Sequence, residues 1–179
     1  YRQPWNPEGK PFSLVPLICG SEGTLALVTE ALLNLVPRPK NRALLCAHFR
    51  DVDETCRATV AALKHDPAAV ELMDGVLLAA TANNREQTRN RFWVQGEPGG
   101  VLAIELRDDD PATLDRRCEA LVEDLKRQEL GYAWPMIEQQ DIQRVWDLRK
   151  AGLGLLTGIP GDRKPLVGIE DTAVPVQDL

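Results

Sequence analysis

Two short runs and a few scattered side chains have the types and spacing to do chemistry. GSEGTL at 20–25 places Gly20 and Gly23 around Ser21 and Glu22, followed by Thr24. Such a loop lets the backbone approach a ligand and turn its N–H groups outward, toward a pyrophosphate or a flavin edge. It lacks the Lys-Ser/Thr of a P-loop and does not read GxGxxG, so a plain tight turn is its other reading. Arg149 continues the apolar stripe Ile142, Val145, Trp146, and a guanidinium on a core-facing stripe must be paired because an unpaired buried charge is costly. Its partner is either an internal carboxylate, Glu170 or Asp171, or the carboxylate of a substrate, to which the bidentate fork is suited. Lys164 in GDRKP offers a second cation or is an exposed loop lysine. Glu170 and Asp171 are adjacent at a strand end and point to opposite faces, which divides them between a general-base role and a cap or turn. His48 in a strand and His65 at a helix C-terminus read as structural, the latter complementing the helix dipole. No Ser-His-Asp set and no HExxH occurs, so hydrolase chemistry has no support.

Composition limits the partners. The 179 residues carry a net charge of -6 and a pI near 5.0, with no basic stripe for a nucleic-acid backbone. No apolar run approaches the roughly 18 residues that span a bilayer, and no secretion signal is visible, so a cytoplasmic location is expected. Cys19, Cys46, Cys56 and Cys118 have no metal-site spacing and read as small core residues. The absence of an initiating Met at Tyr1 and the ending at Leu179 are read as cut ends of a longer chain.

The elements that must position these residues follow from periodicity. Residues 14–40 read as strand, tight turn, strand, closed by PRPK at 37–40. The predicted boundary divides 1–40 from 41–179. ALLCAHF at 43–49 predicts a strand, then a helix capped by Asp51 with Glu54 three positions on and an apolar face of Val52, Cys56, Thr59, Val60 and Leu63. AAVELM at 68–73 is the second strand, and residues 74–93 read as a helical insertion and loop. The pattern then returns: VLAIEL at 101–106, a helix capped by Asp110 with Pro111 at its first position and a Leu114, Cys118, Leu121, Val122, Leu125 stripe, and YAWPMIE at 132–138 as an edge strand. Residues 139–152 read as a further helix and LVGI at 166–169 as strand-like. Two strand-helix-strand units predict an α+β domain with a ferredoxin-like (duplicated βαβ) antiparallel sheet and both helices on one face. Any α+β sandwich of the same element order is the alternative.

GSEGTLALVTEALLNLVPRPK at 20–40 resembles the closing segment of the FAD-binding domain in FAD-linked oxidases of the 2-hydroxy-acid dehydrogenase type, the vanillyl-alcohol-oxidase-like flavoproteins. VELMD at 70–74, VWDLRKAGLGLL at 145–156 and GDRKPLVGIEDTAVP at 161–175 resemble their C-terminal cap, especially in the large bacterial members fused to an Fe-S module. The resemblance implies the end of a flavin domain followed by a substrate cap. The implied activity is oxidation of a 2-hydroxy acid, of the D-lactate, glycolate or D-2-hydroxyglutarate type, by hydride transfer to FAD, with electrons passed to a separate acceptor. It implies that Gly20, Ser21, Glu22, Gly23 and Thr24 line FAD and that Arg149 holds the substrate carboxylate. Relatives acting on hydroxyglutarate place a lysine where Ile169 stands here, and Lys164 is the expected substitute. A divalent metal and an Fe-S cluster are implied only for parts outside this chain. The other function expected from the residues is a non-catalytic ferredoxin-like domain that binds a small molecule or a protein.

Overall fold

The computed structural model describes Gly9 and residues 11–158, 161–162 and 174–176. The chain divides into two compact units, Tyr1–Pro37 and Arg38–Leu179.

In the second unit, the two apolar runs seen in the sequence become the central strands, β1 (Asn41–Phe49) and β3 (Gly100–Asp108). They pair antiparallel from Asn41 opposite Asp108 to Phe49 opposite Gly100, which extends the ladder beyond the apolar residues into polar ends. β2 (Ala69–Asp74) pairs with β3, and the two-residue β4 (Met136–Ile137) pairs with the other side of β1. The sheet order is β2-β3-β1-β4, all antiparallel, which is the ferredoxin-like split βαβ arrangement that the repeat predicts. Pro135 lies beside the short edge strand, and its carbonyl accepts from the Cys46 N–H at 3.0 Å.

Helices α2 (Val52–Ala62) and α4 (Pro111–Arg127) cover one face, as expected. Both caps form: Asp51 accepts from the Glu54 N–H and Asp110 from the Thr113 N–H. The α4 stripe is also as predicted, with Leu114, Cys118, Leu121 and Leu125 buried and Val122 packed beside them. The α2 face is not. Thr55, Ala58, Ala61 and Ala62 are buried, whereas Val52 and Leu63 are 45% and 40% exposed. Small residues win there because α2 lies close to β3; a Cβ added at Gly100 would sit 2.3 Å from the Thr55 hydroxyl, leaving no room for a Val or Leu layer.

The opposite face is also covered, so the strands bury both sides. The insertion between β2 and β3 folds as α3 (Gly75–Ala82), capped by Asp74, and a 3-10 turn at Thr88–Arg91. With α5 (Ile142–Thr157) it packs Leu77, Trp93, Val145 and Leu148 on Leu44, Cys46, Val101 and Ala103. α5 is longer than predicted, and its buried stripe runs Ile142, Val145, Leu148, Gly152. A Cβ at Gly152 would fall 2.7 Å from Leu77, so this glycine sets how closely α5 lies to α3.

The first unit corrects the strand-turn-strand reading of 14–40. Val15–Gly20 form a short helix, α1, with proline at its start, and residues 26–39 form neither helix nor strand. A strand needs a neighbour to satisfy its N–H and C=O groups, and among the described residues of this unit none is paired.

Candidate functional site

The face of the sheet shared with α5 carries a strip of polar side chains at the end beyond the apolar layer. Glu71 on β2 lies opposite Ala103, Glu105 on β3 opposite Leu44 and Ala69, and Arg107 opposite Arg42. Opposite residues in an antiparallel ladder share a face, so Glu71, Glu105, Arg107 and Arg42 all point to one side. Glu105 is buried and doubly bonded: Arg107 Nε donates to it at 2.6 Å and Trp146 Nε1 at 3.1 Å. These two donors satisfy a carboxylate that would otherwise be costly inside a sheet. Sequence reasoning missed Glu71 and Glu105 as site residues, although the signal was present. Each is a lone acid within an otherwise apolar strand, VELM and VLAIEL.

Arg149 belongs to this strip and not to the core. The buried stripe passes through Leu148 instead: 3.6 residues per turn puts 148 and 149 equally close to 145 and 152, and it is the apolar Leu148 that is buried while the Arg149 side chain is 47% exposed. Its Nε and Nη2 both donate to Oε2 of Glu71, at 3.1 and 2.8 Å. Glu71 thus stands where Glu170 or Asp171 was expected, and those two residues lie outside the described ones, as do Lys164, Ile169 and the strand-like 166–169. The pair uses the side edge of the guanidinium. The end edge, Nη1 with the second hydrogen of Nη2, takes no acceptor among the described residues.

The Gly20–Thr24 loop is a turn following α1. Ser21 is in the right-handed region and Glu22, at φ 49, in the left-handed one, with Gly23 at φ 80. That succession aims consecutive N–H groups to one side, the geometry of an anion-binding nest. The Ser21 hydroxyl donates to the Ile18 carbonyl at 2.8 Å and the Thr24 hydroxyl to the Ser21 carbonyl at 2.6 Å, so the side chains brace the turn. The N–H groups of Glu22 and Gly23 have no acceptor among the described residues. Cβ atoms at Gly20 and Gly23 would meet nothing within 4 Å.

The histidines are structural, as read. His48 is fully buried in β1 between Trp93 and Tyr132. Its Nδ1 lies 2.8 Å from the Cys46 carbonyl and its Nε2 accepts from the Gln95 N–H at 3.1 Å, an arrangement for the neutral ring with its proton on Nδ1. Burial holds its pKa below the ordinary value despite the bond to Cys46. His65 bonds Asp124 of α4 at 3.1 Å, and that bond is the main reason the Asp124 carboxyl is held below its usual range. Cys46 and Cys118 are buried, as expected of small core residues, and burial pushes the Cys118 thiol up to about 11. Cys56 is partly buried and Cys19 exposed, so Cys19 departs from that reading. Among the described residues, no group of His, Cys, Asp and Glu could hold a metal ion, and no helix is long and apolar enough to cross a membrane.

Comparison with known proteins adds what this geometry alone does not. A family model described as FAD linked oxidases, C-terminal domain, matches residues 38–179. Over 94% of the chain, it is 28% identical to a D-2-hydroxyglutarate dehydrogenase of Pseudomonas putida and 30% identical to one of Pantoea ananatis, covering 17% of each. It is 26% identical over 94% of its length to glycolate oxidase subunit GlcD of Bacillus subtilis, covering 34% of that protein. The chain therefore spans about a third or less of the length of these relatives.

Proposed function

The chain belongs to the family of FAD linked oxidases, C-terminal domain, and from that premise we propose that it is part of a flavoenzyme that oxidises a 2-hydroxy acid. Residues 1–40 are read as the end of an FAD-binding domain and 41–179 as the substrate cap. The match over residues 38–179 carries the reading. The relatives' names point to a substrate of the D-2-hydroxyglutarate or glycolate type, with D-lactate in the same chemical class.

FAD, when bound, supplies the acceptor for the hydride that leaves C2 of the substrate. The Gly20–Thr24 turn fits contact with such a group through its backbone: the N–H groups of Glu22 and Gly23 have no acceptor among the described residues, and a Cβ at Gly20 or Gly23 would meet nothing within 4 Å. Arg149 would hold the substrate carboxylate on its end edge, with Glu71 bracing the side edge so that the fork is oriented before substrate arrives. Lys164 is proposed as a second cation. An Fe-S cluster and a divalent metal are proposed for parts outside this chain, the electrons are proposed to pass to a separate acceptor, and the proposed compartment is the cytoplasm.

The test is Arg149→Ala in the full-length flavoprotein. Loss of one partner of a desolvated charge pair costs about 2–5 kcal/mol, so kcat/KM should fall about 30- to 4,000-fold. The ion pair with Glu71 favours one other reading, a non-catalytic ferredoxin-like binding domain in which Arg149 only joins α5 to β2. Wild-type turnover in a folded Arg149→Ala protein would establish that structural role and remove the catalytic one.

A further inference from the structure

Arg42 and Arg107 face each other directly across β1 and β3. Like charges in opposite positions of a ladder destabilise the pair, and here they lie in an acidic chain of net charge -6. A cavity of about 500 Å³ opens over them, lined by Arg38, Pro39, Lys40, Arg42, Arg107 and Gln139. Four of these six carry positive charge and none is acidic. The nearest acids act from outside the lining. Glu105 holds Arg107 by its Nε, and Asp109 accepts the backbone N–H of Lys40 at 3.1 Å. Gln139 accepts from the Arg42 N–H at 3.3 Å through Oε1, which leaves its amide NH₂ as a further donor.

We propose that this cavity is a binding site for a small multivalent oxyanion, one carrying two or more carboxylate or phosphoryl groups. Guanidinium forks from adjacent strands match the planar oxygens of such groups, and an anion between them turns a repulsive pair into two charge-assisted contacts. The volume is that of a small-molecule site. Arg149 is not in the lining, and the proposal goes beyond the assignment of Arg149 to a substrate carboxylate.

Calorimetric titration of the 179-residue chain with pyrophosphate and, separately, citrate tests it. Saturable binding of either is expected, and which one binds more tightly identifies phosphoryl or carboxylate as the preferred group. In the Arg42→Gln, Arg107→Gln double variant, affinity should fall by about 10- to 100-fold, while Arg149→Gln should leave it within twofold. A second readout separates binding from folding. Without anion, Arg42→Gln should raise the melting temperature by about 1–4 °C because a repulsive pair is lost, and citrate or pyrophosphate should raise it more in the wild type than in the variant. No saturable binding, equal affinity in the double variant, an equal effect of sodium chloride at matched ionic strength, or a lower melting temperature for anion-free Arg42→Gln would each overturn the proposal.

Discussion

Glu71 determines what Arg149 can do. By occupying the Nε–Nη2 edge it leaves a single edge for a second carboxylate, so its expected role is to position the guanidinium. Under the proposed function, Glu71→Gln in the full-length protein should raise KM by about 3- to 30-fold with a smaller change in kcat, as expected when a hydrogen bond to a charged group is weakened. A lowered KM would show instead that Glu71 competes with substrate. Stability should change by less than about 1 kcal/mol, because the pair is 47% and 39% exposed and such pairs contribute little. His48 gives the pH prediction. Its folded pKa lies below the ordinary 6.5, so the unfolded chain takes up the proton more readily. Its contribution to stability is full above pH 6.5 and is lost as pH falls from there toward the folded value. An NMR titration should show the His48 ring neutral through pH 6.5 and below, and a midpoint at 6.5 or higher would contradict the buried neutral ring. The Arg149–Glu71 partnership was not legible in the sequence, because the two residues are 78 positions apart and only the sheet brings them together.

At the scale of elements, the two caps and the strands of the sheet were readable, whereas the strands expected in 14–40 and the buried faces of α2 and α5 were not. The N-caps at Asp51 and Asp110 depend on contacts three residues apart, which sequence spacing encodes. The buried face of α2 depends on its distance from β3, which no local pattern encodes, so Thr55 and three alanines displace the larger Val52 and Leu63. Glu54 likewise does more than its capping position implies. Its two oxygens accept from the N–H groups of Arg50, at 2.9 Å, and of Gly131, at 2.8 Å, tying α2 to the segment after α4. Glu54→Ala should destabilise by about 2–4 kcal/mol in urea unfolding, since it leaves two backbone donors without their acceptor. Gly99→Ala should also destabilise, by about 1–3 kcal/mol or more, because its Cβ would fall 2.1 Å from the Arg50 carbonyl oxygen, which belongs to backbone and cannot swing aside. A midpoint equal to wild type in either variant would show that the α2 N-terminus relaxes freely.

At the scale of the whole molecule, both core clusters are built from residues of the second unit alone. Deleting residues 1–37 should therefore leave the far-UV spectrum of the remaining chain and its cooperative melting in place, and loss of the cooperative transition would show that the first unit is needed for folding. The chain covers 17% to 34% of relatives that carry dehydrogenase and oxidase names, and if most of the FAD contacts lie in the remainder, it should purify colourless. A yellow preparation with bound FAD would contradict that division. Some properties follow from the sequence by itself: the order of strands and helices between residues 41 and 157, the caps at Asp51 and Asp110, and the repeat behind a ferredoxin-like sheet. Each depends on neighbours along the chain and on the period of apolar residues. The tertiary structure alone decided that α5 and the insertion cover the second face, that α2 lies too close for large side chains, and that Arg42 meets Arg107. It also replaced the strands expected in 14–40 with a short helix and an apolar segment that pairs with no strand among the described residues. The physical reason is the same in each case: hydrogen-bond partners, layer spacing and cross-strand charge are set by residues distant in sequence, and a local pattern carries no record of them.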